Sequence, residues 1–400
     1  MRLIVIVVAI EFLWNAIGGY ATERSTSFVK ASGTSFTVDG KPFFVTGINN
    51  YYLPYATETE VTTVLDDAVA LGANVVRTFL VPVIGSPDDD STTIWKFRNH
   101  RTDSLNVNGN FLLYWDNGTN EMGINEAQNG IPKIDFLITE VKKRQLRLII
   151  AFLDFWDFTG GIQQIVAWYN KEYLSLLKLK GFPFARDDHF FFADPRTRKD
   201  YQRWVQYVVN RINPQTGVRY RDDPTIMAWE LANEANAKPD QLRLTWTEEM
   251  AAFVKQNDPN HLVGSGNASI DLKEFDISLP AIDFGTWHGY PKYLQLSVDK
   301  LDRLISQYCN GAAKYQKPVL LEEFGFARSN PNQAAAYQEW VNTITGDPNC
   351  AGWLVWCLVS RLESGRYPVD EVDQFDVRND GSEIWQVLKT AIQKGATRDD

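Results

Sequence analysis

Residues 226–234 read Ile-Met-Ala-Trp-Glu-Leu-Ala-Asn-Glu, an apolar run that carries two acidic residues, Glu230 and Glu234, at its end. Its length predicts a strand, and its near-continuous apolarity predicts cover on both faces, as in a parallel sheet. A second run of this kind, Pro-Val-Leu-Leu-Glu-Glu-Phe-Gly over residues 318–325, ends on Glu322 and Glu323. Carboxylates at the close of apolar strands are costly to desolvate, so each needs a partner or a function.

Working outward from these two, six further strand patterns appear: Phe43–Gly47, Asn74–Phe79, Leu146–Leu153, His261–Ser265, Phe284–Tyr290 and Gly352–Leu358. Amphipathic helical patterns separate them, among them Glu58–Leu71, Pro132–Arg144, Arg196–Arg211, Pro239–Gln256, Val298–Gln307 and Asn332–Thr345, and Glu383–Lys394 follows the last strand. Eight strand–helix units predict an α/β protein of the (β/α)8 TIM-barrel type. No repeat or linker divides residues 27–395, so they are expected to form one domain, with a long insertion, Val81 to Gly130, after the second strand. An open doubly wound sheet would need a Gly-rich turn after its first strand, and Gly47-Ile48-Asn49-Asn50-Tyr51 does not supply one.

The composition restricts the partners. The 400 residues are 44% hydrophobic and 22% charged, with a net charge of −10, which argues against nucleic acid and against an anionic membrane. With 13 Trp, 16 Tyr and 23 Phe, the chain is rich in flat apolar rings that suit the C–H faces of sugars. A monomer is expected. Arg2 followed by the apolar run Leu3 to Ile10 and the small residues Gly18, Gly19 and Ala21 predicts a secretory signal peptide over residues 1–21. Sequons at Asn117 and Asn267 fit secretion. Of the three cysteines, Cys309 and Cys350 are the expected bridge, because Cys357 falls inside a predicted buried strand. The four histidines, His100, His189, His261 and His288, are scattered without metal-ligand spacing, so neither metal nor cofactor is expected.

In a barrel the chemistry sits at the C-terminal ends of the strands. Two carboxyl groups facing one another across that mouth are what glycoside hydrolysis requires: one protonates the leaving oxygen and the other attacks the anomeric carbon. Period-two alternation puts Glu230 and Glu234 on one face, Glu230 deeper and paired with a buried cation such as Arg77. Glu322 and Glu323 face opposite sides, and spacing alone leaves open which is inside.

The strings WELANE and LLEEFG resemble the two catalytic signatures of glycoside hydrolase family 5. SGTSFTVDGKPFFVTGINNYYL, FWDFTGGIQQIVAWY and GVRYRDDPTIMAWELANEA extend the resemblance, which is nearest to the fungal and plant β-mannanases and covers about residues 27 to 395. It implies a retaining hydrolase of β-1,4-mannosidic bonds in mannan, glucomannan or manno-oligosaccharides, with Glu234 as acid/base and Glu323 as nucleophile. It further implies that Asn233 binds the hydroxyl beside the anomeric carbon and that Arg77 keeps the nucleophile ionised. His288 and Tyr290 would hydrogen-bond the two carboxyls, Trp356 would floor the −1 sugar, and Trp156 would contact a second sugar. On general electrostatic grounds, the carboxyl beside Arg77 is expected to ionise and its neighbour to keep the proton.

Two departures from the family fall where distal sugars would bind. The insertion is longer than relatives carry, and Leu153-Asp154-Phe155-Trp156 stands where they commonly show Asn-Asn before the Trp. Roughly fifty residues of loop need a functional reason, and Trp115 is the expected wall or platform residue of a narrowed glycone side. The alternatives are an exo-acting β-mannosidase or transglycosylase, a β-1,4-glucanase, and a non-catalytic carbohydrate-binding barrel, which would have lost one of the two carboxylates.

Overall fold

The first strand–helix unit shows how local chemistry sets the pattern. Thr57 opens the helix Glu58–Leu71 with a reciprocal cap: its hydroxyl accepts the Glu60 N–H at 3.2 Å, and the Glu60 carboxylate accepts the Thr57 N–H at 3.1 Å. Gly72, at φ 94°, ends the helix in the left-handed conformation that glycine adopts without penalty. Between the caps Val61, Val64, Leu65, Ala68 and Leu71 recur at helical spacing, and all are buried. Each contributes about 1–3 kcal/mol of apolar transfer, the alanine least.

A computed structural model describes residues 27–97, 109–180, 186–269, 276–368 and 373–396. The expected signal segment and the middle of the insertion lie outside these residues. Eight parallel strands form one sheet: β1 (Val45–Asn49), β2 (Val75–Phe79), β3 (Arg147–Ala151), β4 (Ile226–Glu230), β5 (Leu262–Gly264), β6 (Gly285–Gly289), β7 (Val319–Phe324) and β8 (Gly352–Val355). Neighbours follow chain order, and β8 pairs with β1, so the sheet curls into the expected barrel. The seam lies between β5 and β6, where a side chain replaces the ladder. The Asp283 N–H donates to the Val263 carbonyl at 2.8 Å, and the Asp283 carboxylate accepts the Val263 N–H at 2.8 Å. Lys255 pairs with the same carboxylate at 2.6 Å.

The inside of the barrel has two levels. Val45, Val75, Ile149, Ala228, Leu262, Phe284, Leu320 and Leu354, one from each strand or its first step, form an apolar cluster. Two residues further along, β2, β4, β6 and β7 carry polar residues, Arg77, Glu230, Thr286 and Glu322, all buried. The expected first strand, Phe43–Gly47, divides: Lys41–Phe43 belongs to a three-stranded antiparallel sheet with Lys30–Ser32 and Ser35–Val38. That sheet sends Phe36 into the inner cluster, edge-on to Phe284 at 5.7 Å, and so closes the bottom of the barrel. The extended run continues, but its backbone changes partner at Phe44.

The described part of the insertion carries the hairpin Leu113–Asp116 and Glu121–Ile124. It is pinned to the segment after β3 by Val83 N–H to the Thr159 carbonyl, 2.8 Å, and Trp168 Nε1–H to the Ile84 carbonyl, 2.9 Å. On the other side Asn110 donates to the Tyr55 carbonyl beyond β1 at 2.9 Å. Cys309 and Cys350 form the disulfide, and Cys357 lies outside it and is buried. Of the two sequons, Asn117 is exposed at the hairpin turn, whereas Asn267 is buried and donates to Asp276.

The seam gives a stability test. Asp283→Ala leaves the Val263 N–H and Lys255 without their acceptor, and a lost hydrogen bond to a charged group costs about 2 kcal/mol. Chemical denaturation should give a reduced midpoint with an unchanged m-value. A midpoint equal to wild type would show that the seam closes without this side chain.

Candidate active site

Arg77 occupies the polar level of the barrel and is fully buried. Its Nε donates to Glu230 Oε2 at 2.8 Å, its Nη1 to Glu323 Oε1 at 2.6 Å and Asn49 Oδ1 at 3.1 Å, and its Nη2 to Asn233 Oδ1 at 2.9 Å. Glu322 Oε2 lies 3.3 Å from Nη2. The expected pairing of Arg77 with Glu230 is therefore present, inside a larger array.

The placement of Glu322 and Glu323 corrects the reading of β7. Leu320 belongs to the inner apolar cluster, so alternation carries Glu322 inward as well. The β6–β7 register then slips: Trp287 pairs with Leu321 and His288 with Glu323, which leaves Glu322 as an extra residue. This bulge brings the next carboxylate to the mouth, so both glutamates reach the same cluster instead of facing apart. Glu322 touches Arg77 and lies 3.4 Å from His288 Nε2, while Glu323 accepts from Tyr290 OH at 2.7 Å.

Glu234 stands beyond the end of β4, at φ 51°. The left-handed conformation costs a non-glycine residue about 1–2 kcal/mol. Its N–H is held by the Gly266 carbonyl at 2.8 Å. Gly266 itself has φ 73°, and a Cβ there would lie 2.3 Å from the Ala232 carbonyl oxygen. The Glu234 carboxyl receives Trp156 Nε1–H on Oε2 at 2.5 Å and contacts His288 Nδ1 through Oε1 at 2.5 Å. The same Nδ1 lies 3.4 Å from Glu323 Oε2. One oxygen of each glutamate and a ring nitrogen of His288 lie within 4.8 Å of one another, a closeness that fits the ~5–5.5 Å carboxyl spacing of double displacement better than the ~6.5–9.5 Å of inversion.

Trp356, half-buried just past β8, stacks between Tyr51 (6.1 Å, 25°) and Phe79 (6.0 Å, 18°). Thus Arg77, Asn233, Glu234, His288, Tyr290, Glu323 and Trp156 share one hydrogen-bonded cluster, with Trp356 packed beside it on Phe79. Trp115 is not brought into it. Its ring meets Trp168 at 6.0 Å and Tyr169 at 5.2 Å, which packs the insertion onto the helix Gly161–Tyr169. Sequence reasoning passed over Asn49 and Asp154. Asn49 could have been found by alternation from Val45 and by its register opposite Arg77.

The charges divide unexpectedly. Burial and the charge of Glu322 hold Glu230 well above the usual carboxylate range despite Arg77. Burial also works upward on Glu322, but Arg77, Glu230 and His288 outweigh it and bring its pKa down to about 2. Burial opposes the charge on His288, yet Glu323, Glu234 and Glu322 raise its pKa to about 10. Burial raises the Glu323 carboxyl above its ordinary range, whereas at Glu234 burial is outweighed by His288 and Trp156, which lower it. This is the reverse of the expected division: the imidazolium, at 2.5 Å from Glu234 and 3.4 Å from Glu323, discriminates more strongly than Arg77. Among the described residues, Glu234, His288 and Glu323 form the group with a metal-type donor set.

Comparison with known proteins follows the same lines. Residues 126–348 match the family described as GH family 5 beta-mannosidase-like. The chain is 31% identical to the putative mannan endo-1,4-beta-mannosidase 9 of Oryza sativa subsp. japonica, over 90% of this chain and 88% of that one. It resembles the endo-1,4-beta-mannanase of Rhizomucor miehei, with 25% identity, TM-score 0.75 and coverage of 93% and 100%. The endo-beta-1,4-mannanase of Thermotoga petrophila is 27% identical, with TM-score 0.71 and coverage of 90% and 79%.

His288 also gives a pH test of stability. Its folded pKa of about 10 lies above the ordinary 6.5, so its contribution is fully present below about pH 6.5 and is lost as pH rises through 10. The melting-temperature difference between wild type and His288→Asn should be largest near pH 6 and shrink towards pH 10. A difference constant across that range would show that His288 is not charged in the folded state.

Proposed function

Because the chain belongs to the β-mannosidase-like group of glycoside hydrolase family 5, we propose that it is a retaining hydrolase that cleaves β-1,4-mannosidic bonds within mannan, glucomannan and manno-oligosaccharides. The observation that carries this reading is the approach of Glu234 and Glu323 to within 4.8 Å, with His288 between them. Glu323 attacks the anomeric carbon as its bond to the leaving sugar breaks, and Glu234 gives its proton to the departing oxygen. Glu234 then takes a proton from water, which displaces Glu323 from the sugar with a second inversion.

Exposure supports the roles. The Glu234 side chain is 19% exposed and the Glu323 side chain 4%, as suits a group that exchanges protons with water and one that acts in a closed site. With a sugar bound, Glu234 carries the proton and Glu323 is ionised. Arg77 and Tyr290 favour the ionised nucleophile once the proton has left. Asn233, held at its oxygen by Arg77, presents its amide group to the hydroxyl beside the anomeric carbon, and Trp356 forms the floor of the −1 sugar. Trp156, which donates to Glu234, meets the leaving sugar. The Cys309–Cys350 bridge fits an oxidising, extracellular setting.

A second reading, exo action, is favoured by one contact: the insertion braces through Asn110 against Tyr55, in the segment after β1 whose Tyr51 stacks on Trp356. Mannohexaose separates the two. Internal cleavage gives early mannobiose and mannotriose, whereas early release of mannose alone would replace the endo reading with the exo one.

The roles of the carboxyls are tested with azide and an activated aryl β-mannoside. Glu323→Ala should lower kcat by about four orders of magnitude, and azide should restore turnover with the α-azide as product. Glu234→Ala should instead give the β-azide. Unimpaired hydrolysis by Glu323→Ala, or β-azide from it, would sink the assignment.

A further inference from the structure

Glu322 is fully buried one residue before the proposed nucleophile, and the reaction above does not use it. The bulge in β7 explains its place: His288 pairs with Glu323, and the extra Glu322 is carried inward. Its Oε2 lies 3.3 Å from Arg77 Nη2 and 3.4 Å from His288 Nε2, in hydrogen-bonding geometry with the ring. The other ring nitrogen, Nδ1, meets Glu234 Oε1 at 2.5 Å and Glu323 Oε2 at 3.4 Å. Glu234 and Glu323 thus approach the buried imidazole on its Nδ1 side. Among the described residues, Glu322 is the carboxyl that faces Nε2. Arg77, itself gripped by Glu230 and Glu323, keeps that carboxyl from following the ring if the ring turns.

A hydrogen bond as short as that between Nδ1 and Glu234 Oε1 has room for one proton. When Glu234 is a carboxylate, the proton sits on Nδ1. When Glu234 carries it as the acid, Nδ1 has to offer its lone pair. A neutral imidazole keeps one N–H, so in that second state the ring hydrogen must be on Nε2. The other tautomer, with Nδ1 protonated and Nε2 bare, would make the ring a permanent donor to Glu234 and favour its ionised form, the wrong one for the first step. We propose that Glu322 is a positioning residue: by accepting the Nε2–H of His288 it fixes the tautomer and orientation of the imidazole, which lets Glu234 hold its proton. A carboxylate behind the histidine of a catalytic triad works in the same way.

The inference rests on Glu234 being the acid, and the test separates the two. Glu322→Gln keeps an acceptor oxygen at this place, whereas Glu322→Met keeps the length and removes it. Each is measured on mannohexaose and on 2,4-dinitrophenyl β-mannobioside, whose leaving group needs no acid. Because both substrates are read on one preparation, an unfolded fraction cancels from their ratio. Glu322→Met should lose about a hundredfold in kcat/KM on mannohexaose and far less on the aryl substrate, and Glu322→Gln should recover most of that loss. Equal losses on both substrates in Glu322→Met, or a Glu322→Gln no better than Glu322→Met, overturn the proposal. Nitrogen NMR of the wild type adds a readout that needs no variant at Glu322, with the His288 signals assigned through His288→Asn. Nε2 should carry a proton throughout the active pH range, and a bare Nε2 there overturns the proposal as well. Glu234→Ala is measured in parallel. A loss confined to mannohexaose upholds the acid role independently of Glu322, whereas equal losses on both substrates would withdraw that role and the proposal with it.

Discussion

A guanidinium that cannot lose its proton is buried completely in the middle of the barrel, and the site is arranged around that fact. An unpaired charge in such a place would cost tens of kcal/mol in a dry medium, so Arg77 demands acceptors on every side. β4 supplies Glu230, β7 supplies Glu322 and Glu323, β1 supplies Asn49, and the segment after β4 supplies Asn233. Glu323 and Asn233, the residue before Glu234, are thus fixed by one planar fork whose geometry tolerates little rotation. Removing one partner of such an array is expensive because the others stay buried and under-compensated. The array is consequently rigid before any sugar arrives, as electrostatic preorganisation requires.

The carboxyls around Arg77 and His288 diverge because of the same burial. Glu230, fully enclosed beside Glu322, is held well above the usual carboxylate range, whereas Arg77 and His288 outweigh burial at Glu322 and bring it down to about 2. Glu234 and Glu323 diverge as well. His288, closer to Glu234, favours negative charge there, while burial raises Glu323. The division within this pair is set by the nearer imidazole and not by Arg77.

Much of this was legible in the sequence, and the parts that were not share a cause. The helix Glu58–Leu71 was readable to the residue because its cap, its apolar spacing and its terminal glycine all agree. Eight strands, their barrel closure and the disulfide were readable for the same reason. Alternation found Glu230 beside Arg77, since both lie within regular ladder. It could not resolve Glu322 from Glu323, because a register slip is set by the neighbouring strand, which the sequence of β7 alone does not report. The split of Phe43–Gly47 between two sheets is likewise a choice of partner, invisible in an extended pattern. Trp115 was placed by its chemistry at a sugar wall, but the outer helix offers Trp168 and Tyr169, and apolar rings pack wherever rings are nearest.

The two carboxyls proposed for the chemistry, Glu234 and Glu323, are the two that escape the pleat. A residue held in regular ladder points strictly in or out, and an inward glutamate at that level, such as Glu230 or Glu322, ends in a salt bridge with no path to substrate. Glu323 reaches the mouth through a bulge and Glu234 through a left-handed residue past the strand end. Each departure costs local stability: an unpaired ladder position in one, backbone strain in the other. The Gly266 carbonyl and the donors from Trp156, Tyr290 and Arg77 offset that cost. Irregular backbone at these points is thus the physical means by which a barrel of buried ion pairs presents two reactive carboxyls to its surface.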